Sequence, residues 1–252
     1  MQAKRKTLEQ EMQAARLIQY SLLPKELPSF PGWRLATYYH PAREVGGDQY
    51  DFLIFADGRL GLLIGDVPEK GVAAALVMAT THGMLRAAAL ASDSPGEVLA
   101  RVNKLLYVVT PQRKLVTCFY AILEPGSGNM RYANAGHNPP YQRRGSEVLE
   151  LRASGMPLGS RPDLHYEERE VQISHGESIL FYGKGLVEAQ NPARAMFGFP
   201  RLKTLLASSP DLSSLIDDLL GKLKDFTGAG WEQEDDVTMV VLNRTVLAHD
   251  GP

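Results

Sequence analysis

The chain has 252 residues, 44% of them hydrophobic and 22% charged, with a net charge of -2. That composition is ordinary for a domain with one substantial core, and so small a charge leaves no electrostatic case for nucleic acid or an anionic membrane. One cysteine, Cys118, excludes an internal disulfide, and no apolar stretch reaches membrane-spanning length, so a reducing cytoplasm without membrane insertion is the expected setting.

The basic start leads into a polar helix rather than the apolar region of a signal peptide. Within it Leu8, Met12, Ala15, Ile18 and Leu22 recur every three or four residues as one apolar stripe, and Pro24, Pro28 and Pro31 end it. A helix over 1–24 with this stripe either packs on its own domain or forms a short coiled coil, continuing from an upstream sensor or pairing a homodimer. The main domain is expected over 25–246. Strand signals cover 33–40, 49–55 and 59–64, the last two flanking the hairpin dipeptide Asp57-Gly58. Helices are expected at 72–90 and 96–109, then strands at 115–123, 130–135, 140–143, 148–151, 166–173 and 178–182. Two helices (202–206 and 212–226), a strand over 237–242 and a disordered tail at 247–252 complete the order. Strands, two helices, more strands, two helices and a final strand make an α+β pattern, not repeated βαβ units.

Chemistry concentrates in two acidic turns, Val45-Gly46-Gly47-Asp48-Gln49-Tyr50-Asp51 and Gly65-Asp66-Val67-Pro68-Glu69-Lys70-Gly71, and in the pair Asp235-Asp236 before the last strand. In the two turns glycine lets the backbone turn tightly beside the aspartate. Carboxylates gathered at strand ends suit a hard divalent cation, and without one they repel and raise each other's pKa. A helix-capping acid is the plainer role for Asp66.

Five motifs then occur in one order: Glu44 to Phe52, Gly65-Asp66-Val67 with Lys70-Gly71, Ala133-Asn134-Ala135-Gly136-His137-Asn138-Pro139-Pro140, Pro157-Leu158-Gly159, and Asp235-Asp236 with Thr238. Together they resemble the SpoIIE/RsbU branch of the metal-dependent PPM (type 2C) protein serine/threonine phosphatases, over nearly the whole chain. The segment from Ala14 to Pro24 resembles the helix that joins sensors to such domains. The resemblance implies an α+β fold of the α-β-β-α sandwich type, two antiparallel sheets face to face with helices outside. It implies Mn²⁺ or Mg²⁺, one or two ions, with Asp66 bridging, the Val67 carbonyl on one ion, Asp48 beside the pair and Asp235 on the other ion. In such a site a water attacks phosphoserine or phosphothreonine in line, and no protein nucleophile is needed.

Three departures bear on that chemistry. Lys184-Gly185 stands where the family has Asp-Gly with a ligand aspartate, a change of about two charge units, and the ammonium could take the place of one metal. Pro68-Glu69 replaces small residues after Asp66, and Gly183 replaces a usual Thr or Ser. Arg43 is a candidate phosphate contact, against a surface ion pair as the plainer alternative. His137 reads as structural, His40 and His82 as packed or exposed, and Glu188 as the start of a partner-facing loop and an alternative ligand.

Two functions follow. One is a phosphatase domain of a bacterial partner-switching pathway, acting on a phosphorylated STAS-type anti-anti-sigma protein, with turnover impaired by Lys184. The other is a pseudophosphatase that signals by binding.

Overall fold

The computed structural model describes residues 2–68, 70–110, 114–209 and 214–245, with side chains from residue 6 onward. Glu69 and the expected tail at 247–252 lie outside the described residues. The chain forms helix α1 (Gln2–Leu22), strands β1 (Trp33–His40), β2 (Gln49–Ile54) and β3 (Leu60–Asp66), then helices α2 (Val72–Ala89) and α3 (Pro95–Val109). Strands β4 (Thr117–Glu124), β5 (Asn129–Ala135), β6 (Tyr141–Arg144), β7 (Glu147–Glu150), β8 (Glu168–Gln172) and β9 (Ser178–Tyr182) follow. Helices α4 (Lys184–Glu188), α5 (Phe199–Ser208) and α6 (Leu215–Thr227) lead to β10 (Val237–Arg244).

Two antiparallel five-stranded sheets result, ordered β1-β10-β9-β6-β7 and β2-β3-β4-β5-β8. Alternation along the strands sorts side chains into three apolar layers. Tyr50, Phe52, Leu62, Ile64, Phe119, Phe181 and Val240 fill the space between the sheets. Leu63, Cys118 and Tyr120 point the other way, towards Met78, Leu85, Val98 and Leu106 of α2 and α3. Tyr182, Met239 and Val241 pack against Leu202, Leu206, Leu219 and Leu223 of α5 and α6. Each such fully buried large side chain contributes about 1.5–3 kcal/mol. This is the expected helix–sheet–sheet–helix order.

Arg244 closes the far end of the sandwich. This residue is 9% exposed, and its guanidinium donates to the carbonyls of Gly126, Ser127 and Ile173 at 2.8–2.9 Å and lies over the Trp33 ring. These bonds tie β10 to the loops of the opposite sheet.

Along α1, Leu8 and Ile18 are 59% and 65% exposed, whereas the polar Gln19 is buried. One expectation needs correction: membrane-spanning length is reached, since α2 is a described helix long and apolar enough for a span, with 18 residues and mean hydropathy 1.3. It nevertheless buries Ala74, Met78 and Leu85 on the sheet, and His82 and Arg86 meet the buried Asp51 carboxylate. A charged contact of that kind belongs to a helix packed on protein.

Candidate functional site

The acidic residues converge at the end of the sandwich where β2 begins and β3 ends. Asp66 is the last residue of β3, on the side facing the other sheet, and is buried at 4% exposure. Asp48 precedes β2 and is 1% exposed. Asp235 sits just before β10, and Lys184 is the first residue of α4, separated from β9 by Gly183 alone. Because β9 and β10 are paired and Gly183 N–H donates to Thr238 O at 2.9 Å, the chain delivers Lys184 beside Asp235.

Lys184 Nζ lies 2.6 Å from Asp66 Oδ2 and 3.2 Å from both oxygens of Asp235. Burial pushes the ammonium pKa down, but Asp66, Asp48 and Asp235 more than offset this and hold it above the usual lysine value. The structure thus places this lysine among the acids. The short helix α4 that carries it was not anticipated, since five residues around two glycines give no periodic signal.

Asp48 accepts from Thr238 Oγ1 at 2.5 Å through Oδ2. Burial raises its pKa well above the ordinary carboxylate value, with Asp66 and Asp236 adding and the Thr238 bond and Lys184 opposing. Gly183 makes this arrangement possible, because a Cβ there would stand 2.5 Å from Asp48 Oδ2. The serine or threonine usual in the resembled family would press on that carboxylate.

Asp236 has a different task from its neighbour. Its carboxylate accepts the N–H groups of Ala42 at 2.8 Å, Gly47 at 2.6 Å and Asp48 at 3.1 Å. It therefore fixes the turn that presents Asp48. The sequence offered Asp236 as half of an acidic pair, and only the fold separates an anchor from a site-facing acid.

The other expected residues divide. Val67 is buried, and its N–H donates to Gly47 O at 3.3 Å, joining the two acidic turns. Pro68 is exposed. Arg43 is exposed next to the Gly71 turn, while Glu44 pairs with Arg16 at 3.7 Å rather than with Arg43. Glu188 is exposed and lines a cleft of about 140 Å³ with Lys70, Trp231, Glu234 and Asp235. Burial raises its pKa. His137 is 5% exposed, with Nδ1 3.0 Å from Thr117 Oγ1, and Thr117 is the register partner of Asp66. Burial pushes the His137 pKa down to about 4, Lys184 adds to the fall, and the Tyr182 main chain opposes it. Asn134 clamps both main-chain groups of His137.

The site can be tested against the divalent ions its residue types suggest. Asp48 Oδ1 and Asp66 Oδ1 are buried with no hydrogen-bond partner, so two anionic oxygens are left for one hard cation. The position between Asp66 and Asp235 is filled by the Lys184 ammonium. Among the described residues no three carboxylate, imidazole or thiolate groups converge on one point. The residues fit one cation held by few protein ligands, and they do not fit a binuclear centre.

Comparison with known proteins agrees with this architecture. The family model for Stage II sporulation protein E (SpoIIE) matches residues 56–245. Protein IcfG of Synechocystis sp. (strain ATCC 27184 / PCC 6803 / Kazusa) is 29% identical over 93% of this chain and 41% of its own length. Phosphoserine phosphatase RsbU of Bacillus subtilis (strain 168) is 27% identical over 95% of this chain and 71% of its own. This chain thus spans less than half of the first relative. Among solved structures, the RsbU and RsbW domains of a Mycobacterium tuberculosis protein superpose with a TM-score of 0.74 at 30% identity, covering 89% of this chain and 63% of that one. The SiaA-PP2C domain of Pseudomonas aeruginosa gives 0.84 at 21% identity, covering 96% and 99%. With a family model spanning three quarters of the chain, from the β2–β3 turn through the Asp235-Asp236 pair, this protein belongs to the SpoIIE family.

Proposed function

We propose that this chain is the phosphatase-type domain of a cytoplasmic bacterial signalling protein, directed at phosphoserine or phosphothreonine on a regulatory partner and impaired in turnover by Lys184. By analogy with its RsbU-like relatives, the partner is a STAS-type anti-anti-sigma protein. The observation that carries the reading is the Lys184 ammonium 2.6 Å from Asp66 and 3.2 Å from Asp235. A fixed monovalent cation balances those two acids, so the incentive to recruit a second metal ion there is removed.

Asp48 and Asp66, with the Val67 carbonyl, would hold the remaining Mn²⁺ or Mg²⁺. When bound, that ion neutralises phosphoryl oxygens and acidifies a water. Asp235 is engaged by Lys184, Thr238 holds the Asp48 carboxylate, and Arg43 at the rim is suited to a phosphate oxygen. Occupancy without turnover, the pseudophosphatase role, is the second reading and is favoured by the same ammonium. Exposed Leu8, Leu17 and Ile18 on α1 support pairing of two copies through that helix.

The test compares the wild type and Lys184→Asp on a phosphoserine STAS protein with Mn²⁺. The wild type is expected to turn over slowly or not at all, and the variant at least about tenfold faster. Robust wild-type hydrolysis abolished by Asp66→Ala would overturn the impairment.

A further inference from the structure

Trp231 is not one of the site's acids, yet it walls the cleft beside them. It is half-buried in the segment between α6 and β10, where it packs on the α5–α6 layer. With Lys70, Glu188, Gln190, Glu234 and Asp235 it lines the cleft of about 140 Å³. Gln190, Trp231 and Glu234 also wall an outer cleft of about 410 Å³, which runs on to Asn191, Arg194 and Glu232. The two clefts form one groove that leaves the acidic site at Asp235 and passes the indole.

Both banks of the groove are held by hydrogen bonds. On one, Gly228 N–H donates to Lys224 O at 3.0 Å, and Gly228 and Gly230 take φ of 78° and 85°, which lets the chain turn twice just before Trp231. Gln233 Nε2 then donates to His40 O at 2.7 Å and Asp235 O at 2.8 Å, and the Lys70 ammonium donates to Glu234 O. On the other, Gln190 and Met196 pair as an isolated bridge, and Asn191 Oδ1 accepts the N–H groups of Ala193 at 3.0 Å and Ala195 at 2.9 Å. Fixed banks reduce the ordering cost of binding.

Size and charge narrow the occupant. Cofactor-sized ligands need about 300 Å³ or more, so the inner cleft suits a single side chain. Its walls include an indole and the carboxylates of Glu188 and Glu234, neither of which is in an ion pair among the described residues. Asp235 is already engaged by Lys184, and Lys70 is committed to a main-chain oxygen. An indole beside free carboxylates attracts a cationic side chain. The geometry points to this groove as the seat of the partner polypeptide that flanks the phosphoresidue, with a lysine or arginine of that segment in the inner cleft against Trp231, Glu188 and Glu234. This rests on the reading of the acidic site as one that receives a phosphoryl group.

Labelled peptides are the probes: a phosphoserine flanked on both sides by lysines, the same with glutamates, and the lysine peptide with plain serine. Affinities are read by fluorescence anisotropy with Mn²⁺ present, or as kcat/KM where a peptide turns over. The proteins are the wild type, Trp231→Ala, Glu234→Gln and, as a control, Glu170→Gln, which removes the same charge from the exposed part of β8. The wild type is expected to bind the lysine phosphopeptide at least about tenfold tighter than the glutamate one. That preference should fall by about threefold or more in Trp231→Ala and in Glu234→Gln and persist in Glu170→Gln. No binding of any peptide, no preference in the wild type, a smaller fall in either groove variant or an equal fall in Glu170→Gln would overturn the proposal. Phosphopeptides that bind without regard to their flanks remove the groove and leave the phosphoryl reading standing. A serine peptide that binds as tightly as its phosphoserine counterpart, with the same loss in Trp231→Ala, supports the groove and removes the phosphoryl reading.

Discussion

Asp236 and Asp48 are joined through the main chain: the Asp236 carboxylate accepts the Asp48 N–H at 3.1 Å while its negative charge helps push the Asp48 pKa upward. One acid thus places another in a position that is electrostatically unfavourable without a cation. Adjacent in sequence, Asp235 and Asp236 serve opposite sides of the site, the first facing Lys184 and the second holding the turn.

Asp236→Asn tests the anchoring role. An amide keeps one acceptor oxygen where the carboxylate has two, so one or more of the three N–H groups loses its partner. Urea unfolding is expected to show a loss of about 2–4 kcal/mol. A loss under about 0.5 kcal/mol, the range of ordinary surface changes, would show that the turn holds itself.

Arg244→Lys should weaken the opposite end of the sandwich. A single ammonium cannot reproduce the planar fork that spans the Gly126, Ser127 and Ile173 carbonyls. A loss of about 2–3 kcal/mol in denaturant unfolding is expected, with Mn²⁺ affinity unchanged.

His137 gives the molecule an acid-sensitive limb. Its folded pKa, about 4, lies below the ordinary 6.5. The fold therefore favours the neutral ring, and the stabilisation is complete above pH 6.5. It is lost progressively as the pH falls from 6.5 towards 4, by up to about 3 kcal/mol. Thermal unfolding of His137→Gln across that range should follow a flatter curve than the wild type. Parallel curves would assign the acid limb to other groups.

Much of the fold was legible because the signals are local. The Asp57-Gly58 hairpin and the helix–strand order follow from turn chemistry and from periods of 2 and 3.6, while the layered sandwich is what the family resemblance implied. The candidate site was legible in its residue types, because Asp48, Asp66 and Lys184 sit beside glycines and, with the Asp235-Asp236 pair, in motifs that carry the family resemblance. What escaped depends on contacts far apart in sequence. The stripe on α1 left packing and pairing open, and nothing in it marked Gln19 as the buried residue, because its partner, Gly46, lies 27 positions away. Asp236 and Gly183 gain their meaning only where β10, β9 and the Asp48 turn meet, which no periodicity encodes. Helix α4 is too short to have a period.

The most direct measurement is the number of Mn²⁺ ions bound, counted by anomalous scattering from soaked crystals and by calorimetry. The Lys184 ammonium between Asp66 and Asp235 predicts at most one ion, on the Asp48 and Asp66 side, in the wild type and a second in Lys184→Asp. Two tightly held ions in the wild type, with the lysine side chain turned to solvent, would contradict it.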